Sequence, residues 1–221
     1  MTRLEGQLAA LERFYGLLPR PPHDPFALLV WEVLAAHSSP GRRDAAYTAM
    51  KRGRMLTPDA VSRAPQAKLE SAVSLAGAYL EQRLQALRQA VVLFRRNPSL
   101  PNTIRAGVRE ARRALAPLPQ LDPAASHRML LFAADYPVLP VDVRVERVVR
   151  RLGFVTGPGA ASGARTRRTL LQQLPRTLEG LRHTYLYLSH HGTATCTESD
   201  PHCGVCPLLS DCPEGQRRRA F

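Results

Sequence analysis

The sequence predicts an all-α protein, and three observations carry that expectation. Apolar residues recur at helical spacing along most of the 221 residues. Alternating apolar and polar runs bounded by turns are scarce. Proline and glycine punctuate the chain at short intervals, which describes short helices joined by loops rather than a coiled coil, and no internal repeat is visible.

Taken in order, Arg3 to Tyr15 reads as an amphipathic helix stopped by Gly16 and the proline-rich stretch Pro19 to Pro25. Phe26 to His37 is a strongly apolar helix ended at Pro40-Gly41, and Asp44 to Lys51 forms a short one. Thr57-Pro58 and Ala64-Pro65 mark two further helix starts, because proline fits the first helical position. A long helix is expected from about Ala78 to Arg96, closed by Asn97-Pro98. Thr103 to Leu115 places Ile104, Val108, Ala111 and Leu115 on one face, with arginines opposite. Asp122-Pro123 opens a helix through about Ala134. Val143 to Leu152, Thr166 to Leu174 and Leu178 to His191 complete the set, the first two separated by the glycine-rich stretch 153–163.

Charge narrows the partners. Thirty-one basic residues face 18 acidic ones, a formal net charge of +13, and only Lys51 and Lys68 among the basic residues are lysine. Such a field favours a polyanion, of which nucleic acid is the usual one. The longest apolar run is too short to span a bilayer, and the N-terminal residues lack a secretory signal pattern. A cytoplasmic protein with no membrane partner is the expectation.

All four cysteines fall between Cys196 and Cys212, spaced Cys196-x6-Cys203-x2-Cys206-x5-Cys212. A disulfide framework spreads its cysteines across a fold, so a local metal site fits better. Spacing alone leaves structural zinc and an iron–sulfur cluster open. The flanking residues add to it: His191-Gly192 precedes the first cysteine, and Pro201-His202-Cys203-Gly204-Val205-Cys206-Pro207 surrounds the middle pair. This pattern resembles the cluster loop of the endonuclease III family of helix–hairpin–helix DNA glycosylases.

The resemblance extends upstream. Where that family reads Leu-Pro-Gly-Val-Gly-x-Lys, this chain has Leu118-Pro119-Gln120-Leu121-Asp122-Pro123-Ala124, and Asp142 follows Ala124 by eighteen residues within Val141-Asp142-Val143-Arg144. The resemblance implies a six-helix barrel over residues 22–132. A second domain, 1–21 plus 133–221, would carry a [4Fe–4S] cluster on the four cysteines, with a groove for double-stranded DNA between the two. It implies base-excision repair of a damaged or mispaired base by a monomer, with Asp142 as the catalytic carboxylate. A helix N-cap is the ordinary alternative use of Asp142. Two departures matter. Ala124 stands in place of the lysine that forms a Schiff base in bifunctional members, so a monofunctional glycosylase using aspartate-activated water is implied. Gln120 and Asp122 replace the hairpin glycines, which re-orients or weakens phosphate binding around Leu121. His37 aligns with a gap-filling glutamine and Leu75 with a wedge, while Arg144 and Arg147 are expected to line the groove. A helix-end histidine and a core leucine are the ordinary alternatives for His37 and Leu75. Two other readings stand beside this one: a catalytically weak or inactive DNA-binding member of the same fold, and a zinc-dependent nucleic-acid-binding protein.

Overall fold

The computed structural model describes residues 1–118, 124–157 and 162–219. Gln120, Leu121 and Asp122, expected at the hairpin, lie outside the described residues. Every described element is helical. No described helix is long and apolar enough to cross a membrane.

The chain divides into two compact units, Met1–Arg20 with Pro137–Phe221, and Pro21–Tyr136. The second unit holds α2 (Pro25–Ala35), α3 (Pro40–Arg52), α4 (Pro58–Arg63), α5 (Gln66–Ser74), α6 (Leu80–Arg96), α7 (Leu100–Arg105), α8 (Val108–Leu115) and α9 (Ala125–Ala133). These are eight helical segments among the described residues, where the expected barrel had six. α2 is its centre: Phe26, Leu28, Leu29, Val30, Val33 and Leu34 are all buried, and the helix packs against α3, α6 and α9. Its start is dictated locally, with the Asp24 side chain accepting from Ala27 N–H and Pro25 in the first turn. Within this apolar environment Glu32 and Arg128 form an ion pair with both side chains at most 4% exposed, Arg128 Nε donating to Glu32 Oε1 at 2.6 Å.

One expected helix is two. The pattern from Thr103 to Leu115 is cut at Gly107, whose φ of 148° no ordinary side chain adopts at low cost. Ile104, Ala111 and Leu115 are nevertheless buried and Val108 is half-buried, so the apolar face runs on across a break that periodicity does not report.

The first unit is built on α1 (Arg3–Tyr15), α10 (Val143–Arg151), α11 (Gly163–Leu171), α12 (Leu178–Ala194) and α13 (Pro213–Arg219). α1 opens with a capping box between Thr2 and Glu5, packs on α12, and buries Leu4, Leu8 and Leu11. α11 begins three residues before the expected start at Thr166 and ends at Leu171 rather than Leu174. α10 crosses α12 closely at Gly192, where a Cβ would sit 2.9 Å from Arg144 Cβ and 3.0 Å from Arg144 O. That contact positions the start of α10, and the carboxylate at its N-cap, against α12.

A candidate active-site carboxylate and a cysteine-lined cavity

Asp142 caps α10. Its Oδ1 accepts from the backbone N–H of Arg144 and of Val145, both at 3.0 Å. Oδ2 accepts from the Tyr185 hydroxyl at 3.2 Å and from Arg144 Nη2 at 2.7 Å and Nε at 3.2 Å. The side chain is 3% exposed, against 33% for Arg144. The N-cap use of Asp142 is therefore present, made by Oδ1. The helix N-terminus also favours the ionised form, since its unpaired N–H groups carry partial positive charge. Tyr185, itself buried, went unremarked in the sequence. Its signal was there: Leu181, Tyr185, Leu188 and Gly192 form one stripe of α12, and a hydroxyl in such a buried stripe needs a partner.

Arg144 is thus paired with Asp142. Arg147, expected to line a DNA groove, is instead turned inward: it donates to Cys196 O at 3.0 Å and to Gly192 O, with only 12% of its side chain exposed. Arg151 does the same for Thr197 O, for Glu198 O at 2.8 Å and for Cys196 Sγ at 3.4 Å. The shared arginine face of α10 was legible, but what packs against it is the cysteine loop. Guanidinium groups supply several directed donors to carbonyls that the irregular loop leaves without ladder partners.

The loop itself folds through two 3-10 turns, Cys203–Val205 and Leu209–Asp211, and ends in α13. That helix contains Arg217, Arg218 and Arg219, and the first two pair with Glu214. Cys196, Cys203, Cys206 and Cys212 line one enclosed cavity together with His191, Val148 and Leu152. Backbone N–H groups already aim at the sulfurs, Gly215 to Cys212 Sγ at 3.3 Å and Leu208 to Cys206 Sγ at 3.4 Å. Burial pushes the Cys206 thiol up to about 11, opposed by the Leu208 N–H and reinforced by the other three cysteines. Burial likewise lowers His191 to about 4, leaving it neutral beside the cavity, with Nδ1 2.7 Å from the Tyr15 hydroxyl.

As the side chains stand, no group of three or more His, Cys, Asp or Glu among the described residues could hold a single metal ion. A zinc site needs its ligands to converge on one centre at short bonds. A cluster gives each thiolate its own iron and needs four thiols around a space. The four cysteines line one cavity, as either group would require.

In the other unit, Ala124 is buried at the head of α9. His37 is exposed and adopts φ 52°, just past the end of α2. Leu75, the C-cap of α5, is 47% exposed, so the core-leucine alternative does not hold.

No protein-family model matches the chain. It is 27% identical over 208 residues to endonuclease III homolog 2, chloroplastic, of Arabidopsis thaliana, covering 91% of this chain and 51% of that protein. Over 104 residues it is 33% identical to endonuclease III of Bacillus subtilis (strain 168), 47% of this chain and 46% of that one. The chain thus spans about half the length of the curated relatives it matches. Among solved structures, a non-covalent endonuclease III–DNA complex superposes with a TM-score of 0.75 at 22% identity, covering 99% of this chain and 98% of that one. In sequence the chain is similar to endonuclease III proteins, and in fold to the endonuclease III–DNA complex.

Proposed function

We propose that this protein is a monofunctional DNA N-glycosylase of the endonuclease III type, removing a damaged or mispaired base from duplex DNA. The observation that carries the reading is the Asp142 carboxylate, fixed by two backbone N–H groups and a buried tyrosine at the head of α10. Asp142 takes a proton from a water molecule as that water attacks the sugar C1′. The N-glycosidic bond breaks with its electron pair going to the base, and the carboxylate stabilises the positive charge that develops on the sugar. For Oδ2 to accept that proton, Arg144 exchanges the carboxylate for a DNA phosphate, its natural alternative anion. Ala124 offers no amine, so no covalent enzyme–sugar intermediate forms by the family's lysine route.

Cys196, Cys203, Cys206 and Cys212 would hold a [4Fe–4S] cluster, supported by their shared cavity and the N–H groups directed at the sulfurs. A cluster held there would cross-link the loop through the four thiolates. Arg147 and Arg151 hold that loop to α10, the helix that begins at Asp142.

A base-release assay tests the reading, using duplexes that carry oxidised pyrimidines, alkylated purines or mispairs. Release without a borohydride-trapped complex is expected, with Asp142→Asn slower by about 10²–10⁴-fold. Equal turnover by Asp142→Asn overturns the assignment of the carboxylate, and a trapped complex overturns the water mechanism. Ala124 favours a second reading, a member that binds duplexes but no longer cleaves them. Binding with no base released from any substrate selects it.

A further inference from the structure

Of the four cysteines only Cys212 is buried, and the residue before it is held by α1. Arg3, the first residue of that helix, donates from Nε to Asp211 Oδ2 at 2.9 Å and to Oδ1 at 3.2 Å. From Nη2 it donates to Asp211 O at 2.7 Å and to Leu152 O at 2.8 Å. Its guanidinium also lies over the Phe154 ring, 4.7 Å from the centroid. One turn further along α1, the buried Gln7 donates to Asp211 Oδ2 as well. The helix is itself anchored by its capping box and by the Thr2 hydroxyl, which donates to Gln173 O at 2.8 Å.

Asp211 closes the second 3-10 turn, and Cys212 follows it directly. Leu152 caps the C-terminal end of α10, and the residue before it, Arg151, has its carbonyl 3.4 Å from Cys212 Sγ. One guanidinium therefore joins the segment that carries Cys212 to the segment on which its sulfur rests. The Arg3–Asp211 pair is open to solvent, its side chains 39% and 49% exposed, so as a plain ion pair it would be worth little. The two carbonyl bonds set it apart. A plain surface pair links two side chains, whereas this planar fork fixes backbone in two segments distant from α1 and from each other in sequence.

We propose that Arg3 is a positioning residue that keeps Cys212 closed into the cavity, so that α1 governs how firmly a metal group is held there and from which cysteine its release begins. The proposal rests on the metal-binding reading of the four cysteines above and adds to it a residue from the first helix and an order of release. Without the Arg3 guanidinium the turn Leu209–Asp211 loses its tie to the end of α10, and Cys212 comes free first. Cys196 stays, because Arg147 and Arg151 hold it to α10 independently of α1.

The test follows the full chain, as purified, in excess EDTA with iodoacetamide. Released metal is counted by plasma mass spectrometry, and the carbamidomethylation of each cysteine by peptide mapping. The sulfur displaces iodide, so a cysteine is labelled only once it has come free of metal and cavity. In the parent, Cys212 should be labelled no sooner than the other three. Arg3→Gln should release metal about 10-fold faster, the loss expected for about one charged hydrogen bond, with Cys212 labelled first. Asp211→Asn keeps its backbone carbonyl for Arg3 and should show a smaller change in the same direction; it replaces Arg3→Gln in every comparison if that variant does not fold. Arg20→Gln, which breaks an exposed pair with Glu179 in the same unit, should match the parent. Parental release and parental labelling in Arg3→Gln overturn the proposal. So does faster release with all four cysteines labelled at one rate, which would make Arg3 a general stabiliser of the unit. If the purified parent holds no metal, the metal reading of the cysteines falls and labelling alone decides: early labelling of Cys212 confined to Arg3→Gln upholds the clamp, and equal labelling in parent and variant overturns it.

Discussion

Replacing Gly192 with alanine places one methyl group where α12 meets α10. The added Cβ would stand 2.9 Å from Arg144 Cβ, 3.0 Å from its O and 3.2 Å from its C, all on or beside the backbone. No rotamer change relieves such a contact, so the helices must part. Carbon atoms rest at about 3.5–4.0 Å, which asks for a separation of about 0.6–1.1 Å. Overpacking of this size costs about 1–3 kcal/mol, or about 2–12 °C in Tm for a chain of this length. Asp142 caps the same helix two residues before Arg144, so its carboxylate moves with it, and a misplacement near 1 Å costs about 100-fold in rate. Differential scanning calorimetry and the base-release assay read the two effects on one sample. Gly41→Ala is the control: a Cβ there meets nothing within 4 Å, and alanine in a helix should hold or raise stability. If Gly192→Ala keeps the parental Tm, the close helix crossing is not where the structure puts it. If it loses stability but keeps its rate, the position of α10 does not set the chemistry.

Other perturbations follow from single contacts. Glu32→Gln removes the carboxylate from a pair at most 4% exposed, and urea unfolding should show a loss of about 3–5 kcal/mol. Gly107→Ala forces a side chain onto φ 148° beside Glu110 Oε2 at 3.1 Å, and should cost about 1–3 kcal/mol in the same assay. The Glu179 carboxyl is held below its ordinary value by hydrogen bonds from Arg20 and Arg182. Its stabilising effect is complete above the unfolded glutamate pKa and fades as pH falls through the lowered folded value. Urea midpoints followed from neutral into acid should accordingly decline slightly less in Glu179→Gln than in the parent.

Much of this architecture was legible because its signals are local. Thr2, Asp24, Thr57, Asp142 and Thr177 each cap a helix with their own side chain, and each precedes the apolar run it starts. The cysteine spacing likewise announces a shared site within one short segment. What escaped depends on partners distant in the chain. Periodicity places Arg144, Arg147 and Arg151 on one face of α10 but cannot say that the loop following α12 covers it. Arg83 reads as one more solvated arginine until the carbonyls of Ala36 and Ala78 arrive from two separate loops. Gly107 breaks a helix through its backbone angle while the apolar spacing runs on undisturbed through Ile104, Ala111 and Leu115.

The loss of the family's lysine at Ala124 changes what Asp142 has to do in the proposed reaction. An attacking amine is itself a strong nucleophile once it has lost its ammonium proton. Water must be both oriented and deprotonated, so the direction and basicity of the carboxylate carry the whole step. Oδ1 is committed to two backbone N–H groups and fixes direction. Basicity is then set at Oδ2, where Tyr185 and Arg144 both donate. Each donor stabilises the anion and makes it a poorer base. Tyr185 is buried within α12, whereas a third of the Arg144 side chain is exposed. In the proposed reaction, Oδ2 accepts a proton from water once Arg144 has exchanged the carboxylate for a DNA phosphate.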